Sequence, residues 1–332
     1  MKQPGRSRRG EGESQRDLNG RGARMKVHAA LLIFPSLLIS GFIGCAASRQ
    51  AGWERAAQTS TIDQPSDAAI LMAQADQAWE GRDTRQGLLQ AIEAYERVLV
   101  ADAHHKGALT RLSRAYYFLA DGYTDDPEEK KRLWEKGTTY GERALGTSPE
   151  FLARVKETGN VGEAVQILGM DYIAPIYWTA TNLGKWARLE GFTTMLKYKK
   201  QIKGMIERVT ALDETFFYGA PHRYWGAYYA VAPSFAGGDM RKSEASFRRA
   251  LEIEPNYFGT RVLFADYYAR KAGDRALFEE MLRYVLEGDP KVLPDIVPEQ
   301  KVEQEKARRL MARIDEFFEP DEEGEGGDVS DE

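Results

Sequence analysis

The sequence predicts an all-α fold assembled from successive helix pairs, and three observations carry that prediction. Leu, Ala, Arg and Glu are abundant while β-branched runs are scarce, which favours helix over strand. Apolar residues recur at helical spacing along most of the chain. A short phrase is also written four times. Arg97-Val98 lies six residues before Ala103, Arg143-Ala144 six before Pro149, Arg208-Val209 six before Glu214, and Arg249-Ala250 six before Pro255. Two residues upstream of each Arg stand Tyr95, Gly141, Ile206 and Phe247. Related helix ends at intervals of 46, 65 and 41 residues are the mark of a repeat array.

Composition narrows the function classes. A chain of 332 residues that is 42% hydrophobic and 11% aromatic can bury one or two cores. A single cysteine excludes an intramolecular disulfide and any multi-cysteine metal site. Residues 1–26 carry eight Lys/Arg against three Asp/Glu, and 27–45 carry neither. Residues 46–332 therefore hold 38 basic and 48 acidic side chains, a net of −10. An acidic body argues against nucleic-acid binding, which needs a basic stripe.

Met25-Lys26, the apolar run 27–44 and then Cys45 read as a bacterial lipoprotein signal, with small residues before the cut. Phe42-Ile43-Gly44-Cys45 resembles a lipobox, departing from its pattern at Phe42. The competing reading is a transmembrane anchor, because 19 uncharged residues approach a spanning length. Pro35, Gly41, Gly44 and the position of the cysteine weigh against it. Lipidation at Cys45 would hold the protein to a membrane, and Ala46 after it favours the outer membrane. Residues 1–24, polar and rich in Arg and Gly, precede a plausible start at Met25 and look like an over-long reading frame. Arg8-Arg9 leaves a twin-arginine signal as the alternative. Residues 46–67 are rich in small and polar types without apolar periodicity, and are expected to be a flexible tether.

The folded domain is expected over 68–318. The spacing predicts helices over 68–83 and 86–100, then a third carrying Leu109, Leu112, Ser113 and Tyr116, the first-helix signature of a tetratricopeptide repeat. Its partner is predicted over 130–145, after an insertion at 121–128 with turn residues. Residues 151–169 are punctuated by glycine and expected to be irregular or short-helical. A helix over 171–191 is apolar nearly all round and so is expected to be buried between neighbours. Helices over 197–212, 221–231, 243–254, 259–271, 277–287 and 302–318 continue the array. That over 243–254 ends at Pro255, which cannot supply a helical N–H. The predicted architecture is an α-solenoid of irregular tetratricopeptide-like helix pairs. Residues 319–332, with eight acidic side chains and no basic one, read as a disordered tail.

Asn182-Leu183-Gly184-x-Trp186 after Tyr177-Trp178, and Ala236-Gly237-Gly238-Asp239 before a Phe-Arg-Arg-Ala helix, join the lipobox to the repeats. In these blocks the chain resembles the T component associated with TRAP (tripartite ATP-independent periplasmic) transporters. The resemblance implies a periplasmic lipoprotein that accompanies the transporter's substrate-binding protein. It also implies a solenoid with a pore-like hydrophobic cavity and a trimeric assembly.

No catalytic constellation, phosphate loop or metal motif is evident, and no cofactor is implied. His104-His105 falls at a helix end, where turn polarity explains it better than metal binding. The aromatic excess is the stronger signal. Tyr116, Tyr172, Trp178 and Trp186, and further on Trp225, Tyr228 and Tyr267, recur on first helices, which in a solenoid line the concave face. Ordinary core packing is the competing explanation for each. Members of tandem pairs such as Tyr228-Tyr229 point about 100° apart, so one of each pair can be core while the other lines a groove. Asn182, polar within an apolar helix, must bond a neighbouring backbone or face the cavity. Asp239 is expected to cap the helix that follows it. Two functions stay open on these residues: a transporter accessory with a ligand cavity, and a general scaffold for envelope assembly with no small-molecule ligand.

Overall fold

The computed structural model describes residues 47–54 and 65–318. The expected signal sequence with Cys45, part of the expected tether and the acidic tail lie outside the described residues. Among the described residues every regular element is helical. Helix α1 (Pro65–Trp79) packs on α2 (Arg85–Ala101), and α3 (Lys106–Gly122) on α4 (Pro127–Leu145). The glycine-rich stretch forms short helices α5 (Pro149–Thr158) and α6 (Val161–Ala164). Then α7 (Ile173–Glu190) packs on α8 (Phe192–Leu212), and α9 (Phe216–Val231) on α10 (Met240–Ile253). A broken helix follows: α11 (Phe258–Leu263), a π-helical turn Phe264–Ala269 and α12 (Arg270–Ala272). Finally α13 (Arg275–Glu287), α14 (Val297–Met311) and the short α15 (Ile314–Phe317) close the domain.

Local sequence explains the helix starts. Thr84, Ser148, Asn160, Asp239 and Asp274 each accept a bond from a backbone N–H in the first turn of the helix they precede. Asp239 therefore caps α10 as expected. His105 Nδ1 accepts from the Ala108 N–H at 3.1 Å and caps α3, which accounts for the histidine pair. Asp126 caps α4 with Pro127 at its first position. The 121–128 insertion is thereby corrected: α3 runs through Gly122, and the loop is just 123–126. Pro149 likewise opens α5 rather than closing the helix before it.

The recurring arginine has a structural meaning. Arg143 donates to the Ala103 carbonyl at 3.0 Å, and Arg208 donates twice to the Leu168 carbonyl, at 2.9 and 2.6 Å. Both reach back 40 residues to the turn before the preceding helix, tying one pair to the last. Tyr95, Ile206 and Phe247, two residues upstream in three of the repeats, are fully buried. In the fourth repeat Gly141 stands there because α7 presses against it. A Cβ at Gly141 would lie 2.2 Å from Thr179 Oγ1, and one at Gly137 would lie 2.3 Å from Asn182 Oδ1. This close approach makes α7 the buried helix its composition predicts.

Residues 47–54 are packed rather than flexible, which corrects the front part of the tether. The Ala47 N–H donates to Thr194 Oγ1 at 2.9 Å. Arg49 Nη1 contacts both oxygens of Glu142 at 2.6 Å, and the Gly52 N–H donates to Glu142 Oε2 at 2.7 Å. Trp53 meets Phe151 edge-on at 5.4 Å. A buried carboxylate on α4 fixes this strap because an unpaired one there would be costly.

Candidate functional site

Helices α3, α7, α8, α9, α11 and α14 surround a cavity of about 1030 Å³. Its walls are aromatic. Tyr177 and Trp178 from α7 meet edge to face at 4.9 Å, Tyr117 from α3 packs on Trp178 at 5.5 Å, and Tyr257 stacks on Tyr218 at 5.4 Å. Burial pushes the hydroxyls of Tyr117, Tyr177, Tyr224 and Tyr257 above the ordinary tyrosine value, so they stay neutral hydrogen-bonding groups.

Charge is set into this aromatic shell. Asp121, at the end of α3, lies between Lys185 of α7 at 3.2 Å and Lys306 of α14 at 2.5 Å. Burial works against its charge, but the attraction of Lys185 and then of Lys306 holds its carboxyl well below the usual range. The same pairing outweighs burial for the lysines and holds both above the ordinary value. Lys306 also reaches Glu303 at 2.8 Å. On the other side Glu299 accepts from Arg114 at 2.7 Å and Arg82 at 3.2 Å. In all, nine basic side chains line the cavity against five acidic ones, inside a body whose net charge is negative.

The entry to α9 is distorted. Phe217 and Tyr218 have φ of 43° and 61°, and Gly219 follows at 74°. A residue with a side chain in this left-handed region costs about 1–2 kcal/mol, so the surroundings must enforce it. Arg223 does so by donating to the Phe217 carbonyl at 2.7 Å and to that of Tyr218. Gly219 is needed there because a Cβ would lie 3.3 Å from Ala250 Cα, besides the strained φ.

Of the residues expected at a ligand or partner cavity, the structure places Trp178, Tyr228 and Tyr267 on the cavity wall. It places the other expected residues elsewhere. Tyr116 stacks on Tyr140 at 5.5 Å and donates to Glu96, while its neighbour Tyr117 faces the cavity. Tyr172 sits under Lys106 and bonds Thr147. Trp186 packs against Tyr198 at 5.6 Å. Trp225 lies among Tyr224, Tyr228 and Tyr229, and Tyr224 is the member that faces inward. Asn182 is fully buried and donates to the carbonyls of Ser113 at 3.0 Å and Trp178 at 2.8 Å, the structural alternative for that residue. Arg114, Asp121, Lys185, Arg223, Glu299 and Lys306 also line the cavity and belong to no sequence motif. The one available signal for them was a charge on an otherwise apolar helix face, as at Lys185.

Among the described residues no helix is long and apolar enough to cross a membrane. A protein of Treponema pallidum (strain Nichols), described only as uncharacterized, is 22% identical over 258 residues, covering 70% of this chain and 79% of the relative. The sequence pattern of the TRAP transporter T-component family matches residues 84–318. That match takes in α2 through α15 and every element around the cavity, and the chain belongs to the TRAP transporter T-component family.

Proposed function

We propose that this protein is a non-enzymatic, lipid-anchored periplasmic accessory of a TRAP-type solute transporter. It docks the transporter's substrate-binding protein and holds a small hydrophobic or carboxylate ligand in its aromatic cavity. The observation that carries the ligand role is the cavity itself: about 1030 Å³, walled by tyrosine and tryptophan and carrying a surplus of basic groups. That volume is ligand-sized, and charged groups set among aromatic side chains would orient a small molecule. Family membership supports the transporter context.

The anchor is assigned to Cys45 and, from Ala46, to the outer membrane. The described strap begins at Ala47, whose N–H donates to Thr194 on α8 at 2.9 Å. A homotrimer, which the family resemblance implies, completes the reading.

The test is titration of the mature protein with the solute-binding protein of a TRAP transporter from the same cell. An accessory that must release its partner should bind with a dissociation constant of roughly 1–100 µM. No binding by calorimetry or sedimentation at several hundred micromolar would remove the docking role.

A further inference from the structure

Phe235 is 82% exposed and Phe192 53%, and their two rings meet edge to face at 6.3 Å. Leu196 and Val231 are also exposed, and both share the lining of the cavity's open side with Phe192. Lys199 of α8 ties the halves of this patch together by donating to the Ala236 carbonyl at 2.7 Å. Single exposed apolar side chains are ordinary, but a cluster of them marks an interaction surface.

Helix α8 gives the patch its chemistry. Phe192 and Leu196 occupy its first turns, and Lys199, Lys200 and Lys203 follow on the same side at helical spacing. The helix carries four lysines and one arginine against a single glutamate, in a body that is otherwise acidic. An apolar tip followed by a collar of lysines is the pattern of a helix that rests at a lipid interface. At 1.5 Å per residue, Lys200 and Lys203 lie about 6 and 11 Å from Leu196 along the axis. That is the depth at which lipid headgroups stand over the acyl boundary.

The N-terminal strap points to the same surface. Ala47 is held on α8: its N–H donates to Thr194, and its carbonyl accepts from Lys197 at 3.3 Å. The sequence before it contains the apolar run 27–44. Whatever attaches that run to a membrane therefore joins the domain at the head of α8, two residues from Phe192. An anionic lipid surface satisfies both parts of the patch at once, taking the rings into the acyl boundary and the lysines against phosphate.

We propose that the Phe192–Phe235 patch and the α8 lysines seat this end of the domain on an anionic phospholipid surface, with the cavity opening toward the bilayer. This rests on the membrane attachment proposed above.

The test uses the mature chain carrying Cys45→Ser, which has no acyl chain and leaves an introduced cysteine as its only thiol. Ser234→Cys beside Phe235, and Ile70→Cys on α1 as a control, each carry an NBD fluorophore. The vesicles are phosphatidylcholine alone or mixed with about one-third phosphatidylglycerol. The label at 234 should shift to the blue and be quenched by brominated acyl chains, while the label at 70 stays unchanged. Binding should be at least tenfold tighter to the anionic vesicles and should weaken with salt. Phe192→Asp with Phe235→Asp, both exposed in the folded protein, should lose at least tenfold in binding. Lys200→Gln and Lys203→Gln should lose about fivefold each. No binding by the folded wild type at millimolar lipid, an equal response at 234 and 70, or binding that the double aspartate variant keeps would overturn the proposal. So would an oligomer in sedimentation that the double variant splits while vesicles stay unbound, which gives the patch to a second copy. Each of these failures leaves the anchor standing, because incorporation of labelled palmitate at Cys45 reads that separately.

Discussion

Arg49→Ala should release the strap and leave the helical body intact. Both side chains of the Arg49–Glu142 pair are 3% exposed and meet at 2.6 Å. Arg49 also donates to Thr139 Oγ1 at 2.8 Å. If everything else stayed in place, removing one partner of a buried pair would cost about 3–5 kcal/mol. The chain has an easier response. Residues 47–54 peel away and water reaches Glu142, so the loss is capped by the docking free energy of eight residues. Ordering each of those residues costs about 1–2 kcal/mol. The Ala47 bond and the half-buried Trp53 cannot offset that without the arginine. The expected result is a loss of about 3 kcal/mol confined to the strap, read as at least a 100-fold drop in hydrogen-exchange protection of the Gly52 N–H. Trp53 emission should shift to the red, and protection of the α7 core amides should stay within a few-fold of wild type. Unchanged protection at Gly52 would refute the reasoning. So would loss of protection spread evenly over α4, α7 and α8, since that would make the strap part of the global core.

Three further outcomes follow from the same structure. Asp121→Asn strands Lys185 and weakens the hold on Lys306, and should cost about 2–4 kcal/mol in chemical denaturation at neutral pH, the lower end reflecting partial water access. The Asp121 pKa is lowered in the folded state, so its contribution is complete above the ordinary aspartate value near 4 and fades as pH falls through the lowered value. The two lysines are raised, so their contribution persists until well above pH 10. The wild-type advantage over Asp121→Asn should thus be flat from about pH 5 to 8 and shrink below pH 4. Gly137→Ala places a methyl 2.3 Å from Asn182 Oδ1 and should destabilise by about 1–3 kcal/mol despite alanine's better helix propensity. Pairing it with Asn182→Ala should recover part of that loss in a double-mutant cycle, because the clash and its target disappear together.

How much was legible in the sequence differs between fold and site. Helix existence and order were readable because caps, prolines and 3.6-residue periodicity are local signals. Boundaries moved where a tertiary demand overrode them, as at Asp121, which stays helical so that its carboxylate can reach two lysines. The strap was missed because its anchor, Glu142, lies about 90 residues away and looks like any surface glutamate. Tandem aromatics stand on helices that line the cavity, yet periodicity alone could not choose between Tyr116 and Tyr117, or between Tyr224 and Trp225. The left-handed turn at Phe217-Tyr218 carries no sequence signal except the glycine after it. Arg114, Arg223 and Glu299 come from three distant segments, so their meeting is a property of the fold.

The central claim is that this protein works beside a TRAP solute-binding protein, and crosslinking in cells tests it most directly. The tagged mature protein would be crosslinked in intact cells, recovered from membranes and scored by mass spectrometry. The account predicts enrichment of a TRAP solute-binding protein over a tag-only control. Recovery of envelope-assembly proteins alone, with the solute-binding protein shown to be expressed, would contradict it and leave a scaffold in its place.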